Sequence, residues 1–214
     1  MIIKFIKDQL LLAVIETIGG CDLNAGPWIS GGTARRLWYN TAWIQHDVDV
    51  FFSNKQQFEC ANEKILAIFN EQSVVKNQFV LWPFELSISE LNIEIKRHVT
   101  KNAITYRIKI ADTLVTIQLI SNMWYSSVRN IWNNFDFSVC RFATDGATLV
   151  ADPIAVDHCN SRVLTVNYTY SKPISARRVI KYSIYGFNAD QHIMKQLLQQ
   201  HENQNINDTV DDYV

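Results

Sequence analysis

The sequence predicts an α+β protein in which an α/β-like mixed sheet is followed by a helical C-terminal lobe. Of its 214 residues, 48% are hydrophobic, and the chain contains only seven glycines and four prolines. This composition is typical of a packed globular protein. A chain of this length buries roughly 70% of its unfolded surface, so the fold requires neither a metal nor a disulfide. Alternating apolar patterns come early and helical patterns gather late, which separates sheet from helices along the chain.

Hydrophobic periodicity predicts the first elements in order. An apolar stripe through Phe5, Leu11 and Ile18 predicts a helix over 4–18. Short apolar and alternating runs predict strands over 28–30 and 47–52. Helices are predicted over 33–39 and 55–70.

Three further strands are predicted over 92–99, 103–110 and 113–120. Tyr106, Ile108 and Ile110 alternate with polar residues, and Ala111 and Asp112 form a tight hairpin to the next strand. The remaining elements are a helix over 124–133, a strand over 136–144, a turn at Asp145 and Gly146, and helices over 153–159, 174–184 and 189–200.

The chain is predicted to divide into a core over 1–150, a helical C-terminal lobe over 151–200 and a disordered acidic tail over 201–214. The tail carries four carboxylates and neither Lys nor Arg, at Glu202, Asp208, Asp211 and Asp212. The net charge of the whole chain is −1. Because the tail contributes −4, the rest of the chain carries +3. That charge is too small to indicate a nucleic-acid-binding protein, so a polyanion site would be local.

The cysteines and the apolar N-terminus indicate a reduced, cytoplasmic protein without a membrane partner. Four cysteines lie far apart with no CxxC pair, which argues against a zinc ribbon or a disulfide scaffold. Asp8 and Glu16 limit the N-terminal apolar run to well below the ~20 residues of a membrane span. We therefore expect the sequons at Asn167 and Asn207 to be coincidental.

The most informative stretch, over 28–52, reads WISGGTARRLWYNTAWIQHDVDVFF. Gly31 and Gly32 end an apolar strand and open a helix, so that backbone can approach a phosphate closely. Asp47 and Asp49 alternate with valines, which places both carboxylates on one strand face, about 6.6–6.8 Å apart at Cα. Such a pair can hold Mg²⁺ for phosphoryl transfer. The alternative is a solvent-facing or strand-edge pair of purely structural use.

These motifs together resemble the nucleotidyltransferase superfamily with the DNA polymerase beta type of fold. Within it, the pattern is most similar to the abortive-infection type and related toxins, in which GGTAL leads through a helix to a DLDF strand. Fourteen residues separate Gly32 from Asp47 here, the spacing expected in that branch. The sequence departs from the branch at 43–46, where WIQH replaces the usual Arg and Ser.

Three later segments resemble, in the same order, uncharacterised nucleotidyltransferase-like proteins of phages and large DNA viruses. They are IQLI at 117–120, FDFSVCRFATDG at 135–146 and ARRVIKYSIYGF at 176–187. The resemblance implies a nucleotidyltransferase core, and a virus-encoded protein would act in the host cytoplasm.

The resemblance implies a role for particular residues. Gly31, Gly32 and Thr33 would bind a nucleoside triphosphate (NTP), and Asp47 and Asp49 would hold Mg²⁺ or Mn²⁺. Arg36 is one turn into the helix and within reach of phosphate. Arg178 and Lys181, in a segment without acids, would neutralise phosphates or an RNA backbone. A solvated helix face is the alternative for that segment.

Members of the superfamily normally carry a third carboxylate on a neighbouring strand, as general base or metal ligand. Gln118 stands where this acid is expected, and an amide is no general base. Asp136 is the best substitute, as catalytic acid and metal ligand. Its alternative role is that of a strand-start Asp that accepts backbone hydrogen bonds.

The function we predict is Mg²⁺-dependent transfer of a nucleoside monophosphate (NMP) from an NTP to a hydroxyl group. RNA or tRNA, a protein side chain and a small molecule are all possible acceptors, and an RNA 3′ end is favoured by analogy with the toxin-like branch. The alternatives are a catalytically degenerate nucleotidyltransferase fold that binds a nucleotide or a partner, and a virion-associated interaction protein. Nucleotide preference and oligomeric state are left open.

Overall fold

The computed structural model describes residues 1–43, 46–74, 95–110, 113–170 and 172–210. The chain forms two compact units. The first comprises Met1–Ile131 and Phe142–Val150, and the second comprises Trp132–Arg141 and Ala151–Val214. A mixed α+β architecture, as predicted, is confirmed by an eight-stranded mixed sheet with helices.

The large sheet and its helices run in chain order through the first unit. The elements are β1 (Ile2–Phe5), α1 (Gln9–Ile18), β2 (Trp28–Ser30), α2 (Gly32–Trp38), β3 (Asp47–Phe51), α3 (Lys55–Val74), β4 (Ile95–Val99), β5 (Ala103–Ile110), β6 (Thr113–Ile120), α4 (Val128–Asn133), β7 (Phe142–Thr144) and β8 (Thr148–Ala151). The strand order is β1-β8-β7-β2-β3-β6-β5-β4. Strands β3 and β6 pair in parallel, whereas β2 pairs antiparallel with both β3 and β7.

One face of this sheet carries the core. Val48 and Val50 on β3 and Leu119 on β6 are fully buried, because side chains alternate between the two faces of a strand. Helix α3 packs against β6. The Tyr106 hydroxyl on β5 donates a 2.6 Å hydrogen bond to Oδ1 of Asn62 on α3. On the opposite face, β3 and β6 present polar residues such as Asp47, Asp49 and Gln118.

The predicted helix over 4–18 is wrong at its N-terminal end, where the structure has β1 and then α1. Asp8 has extended backbone (φ −128°, ψ 112°), and its side chain accepts a hydrogen bond from the Leu11 N–H. This N-cap satisfies an otherwise unpaired helix donor. The helix therefore begins at Gln9, and the preceding residues form an edge strand.

In its described residues, the second unit contains α-helices and a small parallel sheet. Its elements are α5 (Pro153–Asn160), β9 (Val163–Leu164), α6 (Ala176–Ile184), β10 (Asn188–Ala189) and α7 (Gln191–Val210). Tyr182 packs edge to face against Phe137 and Phe187 in its core. Helix α7 includes residues 201–210 of the polar C-terminal segment, and residues 211–214 lie outside the described residues.

The predicted strand over 136–144 is wrong except for its last three residues. Phe137 makes one isolated bridge to Val166, and a 3₁₀ helix follows over Ser138–Cys140. The Cys140 N–H donates to the Phe137 carbonyl, a local bond that replaces strand pairing. Only Phe142–Thr144 is a strand, β7.

The other predicted elements agree with the structure to within a few residues, except that the helix predicted over 189–200 extends to Val210 and includes residues 201–210 of the segment predicted as a disordered tail. Two predictions fall partly outside the described residues. Strands β5 and β6 pair antiparallel up to Ile110 and Thr113, while the predicted hairpin residues Ala111 and Asp112 lie outside the described part. The same holds for 92–94 of the strand predicted over 92–99. Strands β1, β8, β9 and β10 are not predicted.

Candidate active site

The turn between β2 and α2 is built around Gly31. Its φ of +87° and ψ of −130° are backbone angles that residues with a Cβ rarely adopt. The Gly31 N–H and the Ser30 hydroxyl both donate to the carbonyl of Phe142 on β7, at 2.9 and 2.6 Å. The two glycines therefore form a tight strand-to-helix turn, as predicted.

Two side chains of α2 form hydrogen bonds to main-chain carbonyls at this turn. The Thr33 hydroxyl donates to the main-chain carbonyl of Asp47 at 3.0 Å, and Thr33 is buried. Arg36 donates from Nη1 to the Gly32 carbonyl at 3.2 Å. The first turn of α2 thus lies directly beside the first residue of β3. Of the predicted nucleotide-binding residues, the structure brings those of the first unit, Gly31, Gly32, Thr33 and Arg36, close to Asp47, whereas Arg178 and Lys181 belong to the second unit.

Asp47 and Asp49 occupy the polar face of β3. Asp47 is exposed and Asp49 half-buried, while Val48 and Val50 between and beyond them are fully buried. The period of two that predicts this arrangement is a local property of a strand. The two carboxylates face the same side of the sheet.

The neighbouring strand contributes an amide to the same face. In the parallel register, Thr116 lies opposite Asp47 and Gln118 opposite Asp49. The Gln118 Nε2 donates to Oδ2 of Asp47 at 3.2 Å. Gln118, the position at which a third acid is expected from the resemblance, is therefore a direct neighbour of the pair.

The donor set fits a divalent cation that arrives with a nucleotide. Within the described residues, no cluster of three or more His, Cys, Asp and Glu side chains has metal-binding geometry. Mg²⁺ usually retains several waters and is held by one or two carboxylates together with substrate phosphates. Asp47 and Asp49 satisfy that requirement, and phosphate oxygens would supply further ligands.

Asp136 and Arg178 form an ion pair within the second unit. Arg178 donates from Nε to Oδ2 at 2.5 Å and from Nη2 to Oδ1 at 2.9 Å, and the Phe137 N–H also donates to Oδ1. Asp136 is 7% exposed. Burial, and then the negative charge of Asp136, raises the pKa of the neighbouring Tyr170 hydroxyl. Lys181, one turn along α6, is exposed.

A buried polar cluster that the sequence does not predict lies close by in the second unit. Arg141 is 2% exposed and pairs with Asp152 at 2.9 Å and with Oδ1 of Asn167. Asn167 donates to the carbonyls of Trp132 and Phe135. With its amide fully occupied, Asn167 is a structural residue, which agrees with a coincidental sequon. Nothing in the spacing of these residues along the chain signals the cluster.

Comparison with solved structures defines the class of fold. The Thermotoga maritima CCA-adding enzyme complexed with tRNA is 15% identical with a TM-score of 0.56, over 95% of this chain and 46% of that chain. A CCA-adding enzyme complexed with CTP is 15% identical with a TM-score of 0.57, over 97% and 48%. A CCA-adding enzyme in apo form I is 14% identical with a TM-score of 0.58, over 97% of this chain and 48% of that chain. The protein thus has a nucleotidyltransferase-like α+β fold and spans about half the length of these enzymes.

Sequence comparison then gives the family. The sequence profile of the Gabija anti-defense 2 family matches residues 4–162. This match covers most of the chain, and the chain belongs to that family. No curated protein is detectably similar in sequence. Among the helices of the described ranges, none has the length and apolar character needed to cross a bilayer.

Proposed function

We propose that the protein is a Mg²⁺-dependent nucleotidyltransferase that moves an NMP from an NTP to a hydroxyl acceptor and releases pyrophosphate. The observation that carries the proposal is the position of Asp47 and Asp49. They lie on one face of β3, beside the glycine turn that opens α2. The fold shared with the CCA-adding enzymes supports the same reaction class.

In this proposal, each candidate site residue of the first unit has a defined role. Asp47 and Asp49 hold the cation, Mg²⁺ or Mn²⁺, together with the NTP phosphates. The cation supplies charge neutralisation for the transferred phosphoryl group. The main chain of Gly31 and Gly32, with Thr33 and Arg36, lines the place of the triphosphate. The Thr33 hydroxyl acts through the backbone of Asp47, to which it donates.

The tasks of the second unit are proposed separately. Asp136 is proposed as the third acid, which orients or deprotonates the acceptor hydroxyl. Arg178 and Lys181 neutralise the leaving pyrophosphate. Arg178 already neutralises Asp136 in the structure, so this assignment requires the ion pair to open or to be shared with the substrate.

We further propose an RNA 3′ end, such as that of a tRNA, as the acceptor, rather than a protein side chain. One of the structurally similar enzymes was solved with tRNA, and terminal hydroxyls of RNA are acceptors of the proposed reaction type. The family name indicates action against a defence system. A virus-encoded protein acting in the host cytoplasm, with a toxin-like effect on RNA, fits that context.

The test is incubation of the pure protein with each α-labelled NTP, Mg²⁺ and total RNA. We expect label in RNA with the wild type, and a loss of roughly a hundredfold or more in Asp47→Asn and Asp49→Asn, because each substitution removes a cation ligand. Asp157→Asn, an exposed Asp on α5, is the matched control and should transfer normally. Equal labelling by wild type and both site variants would contradict the proposal.

A nucleotide-binding module without catalysis is the second candidate, and the neutral Gln118 beside the pair favours it. For such a module, Mg-NTP would raise the melting temperature of the wild type but not of the Asp47→Asn/Asp49→Asn variant, and no label would move. A virion-associated interaction protein would show neither effect.

A further inference from the structure

Gln118 lies on β6, the strand beside the Asp pair, and its side chain bonds to a carboxylate of the pair. It lies opposite Asp49 in the β3–β6 register, and its amide donates to Oδ2 of Asp47. We propose that Gln118 makes cation binding at this site depend on the nucleotide. The inference rests on the proposed function, since it concerns the same cation and the same NTP.

The polar face of β3 and its neighbouring strands carries few negative charges. The register sets two rows of side chains across the sheet: Asp47, Thr116 and Arg107 in one, and Asp49, Gln118, Thr105 and His98 in the other. Asp47 and Asp49 are the only carboxylates in the described part of these rows. The two β6 positions opposite the pair, Thr116 and Gln118, are both neutral, so this strand adds no negative charge that would attract a free divalent cation.

The hydrogen bond adds a second effect. The Gln118 N–H occupies one acceptor direction of Asp47 Oδ2 at 3.2 Å, and that oxygen is a natural cation ligand. A free cation has to displace this donor and to lose water as well, which Mg²⁺ does reluctantly. Asp47 is exposed, so water screens its attraction for the cation.

A nucleotide changes this balance. Its phosphate oxygens provide ligands and negative charge that two carboxylates and an amide lack. The site therefore takes up the cation as a cation–nucleotide complex and binds the free cation weakly. A cation-binding site of this kind is filled only when substrate is present.

Gln118→Glu tests the role of the neutral amide. Opposite strand positions lie about 4.8 Å apart, so the new carboxylate stands beside both aspartates. Gln118→Ala removes the N–H donor without adding charge. Thr105→Glu is the matched control, since it adds the same charge in the same row, one strand further away.

The measurement is Mn²⁺ binding, followed through the electron paramagnetic resonance signal of free Mn²⁺, with and without an α,β-methylene NTP analogue. We expect the wild type to bind Mn²⁺ at least about tenfold more tightly with the analogue. Without it, Gln118→Glu should bind Mn²⁺ at least about tenfold more tightly than the wild type, whereas Gln118→Ala and Thr105→Glu should change by less than about threefold.

Each alternative result has a defined meaning. Wild type that binds free Mn²⁺ as tightly as it does with the analogue overturns the inference, and so does an equal gain in Gln118→Glu and Thr105→Glu. Coupled Mn²⁺–nucleotide binding in a wild type that transfers no label supports the inference but removes the proposed transfer. A wild type that binds neither Mn²⁺ nor nucleotide overturns both.

Discussion

At the scale of single residues, neighbouring polar side chains of the first unit have different tasks. Asp47 is accessible on the polar face of β3, whereas Thr33 is buried and bonded to main chain. Gln118 donates to Asp47 and leaves the site with an amide where a carboxylate would add charge. Accessibility and charge, rather than residue type alone, therefore separate the proposed cation ligands from the residues proposed to position them.

In the second unit, substitution of Asp136 distinguishes a catalytic role of this residue from a structural one. Its carboxylate accepts two bonds from Arg178 and one from the Phe137 N–H. Asp136 is buried but the Arg178 side chain is 45% exposed, so the main cost of removing the carboxylate is the loss of its charge-assisted hydrogen bonds. We expect Asp136→Asn to lower the free energy of unfolding by about 1–3 kcal/mol, as measured by urea denaturation. If Asp136 is also the third acid, label transfer per folded molecule should fall by roughly a hundredfold.

Arg178→Lys is the control for this prediction. It retains the positive charge but loses the bidentate hydrogen bonding to Asp136. We therefore expect it to destabilise the protein while reducing label transfer by less than about tenfold. Full transfer per folded molecule in Asp136→Asn would show that the carboxylate is structural only.

At the scale of elements, the success of sequence prediction follows the range of the interactions. The alternation of Asp47 and Asp49 with valines is local, and β3 is found where it is predicted. The partner of β3 is not local, because Asp47 and Gln118 are 71 residues apart. The Asp136–Arg178 ion pair joins residues 42 positions apart, so it cannot be predicted from local sequence patterns either.

The two incorrect elements have a shared cause. In both, a hydrogen bond between residues close in the chain ends the regular pattern: the Leu11 N–H donates to the Asp8 side chain, and the Cys140 N–H donates to the Phe137 carbonyl. Such local bonds compete with helix and strand hydrogen bonding. Hydrophobic periodicity does not register this competition.

Asp8 therefore offers a test at the element scale. Its Oδ1 caps α1, and its Oδ2 accepts from the Trp43 indole N–H at 2.8 Å. Asp8→Ala removes both bonds and leaves a buried indole donor unpaired, so the free energy of unfolding should fall by about 1–3 kcal/mol. Urea denaturation measures this change.

Asp8→Asn is the matched comparison, because an Asn also caps helices well. It should cost less than half as much as Asp8→Ala. Equal stability of Asp8→Ala and wild type would contradict the role assigned to this residue in starting α1.

At the scale of the whole molecule, the two units interleave along the chain, since residues 132–141 belong to the second and 142–150 to the first. The α+β class follows from composition and element order, and the comparisons confirm the fold. The division into a core over 1–150, a lobe over 151–200 and a tail over 201–214 stays a prediction. The sequence predicts contiguous segments, whereas the two units of the structure interleave along the chain. Contacts between segments distant in sequence cannot be inferred from local composition.

The measurement that tests the central claim most directly compares α-labelled with γ-labelled NTP in the same Mg²⁺-dependent reaction with RNA. Nucleotidyl transfer served by Asp47 and Asp49 predicts that the α label enters RNA while the γ label leaves in pyrophosphate, and that both events disappear in Asp47→Asn/Asp49→Asn. Entry of the γ label into the acceptor, or α-label transfer that persists in the double variant, would contradict the account.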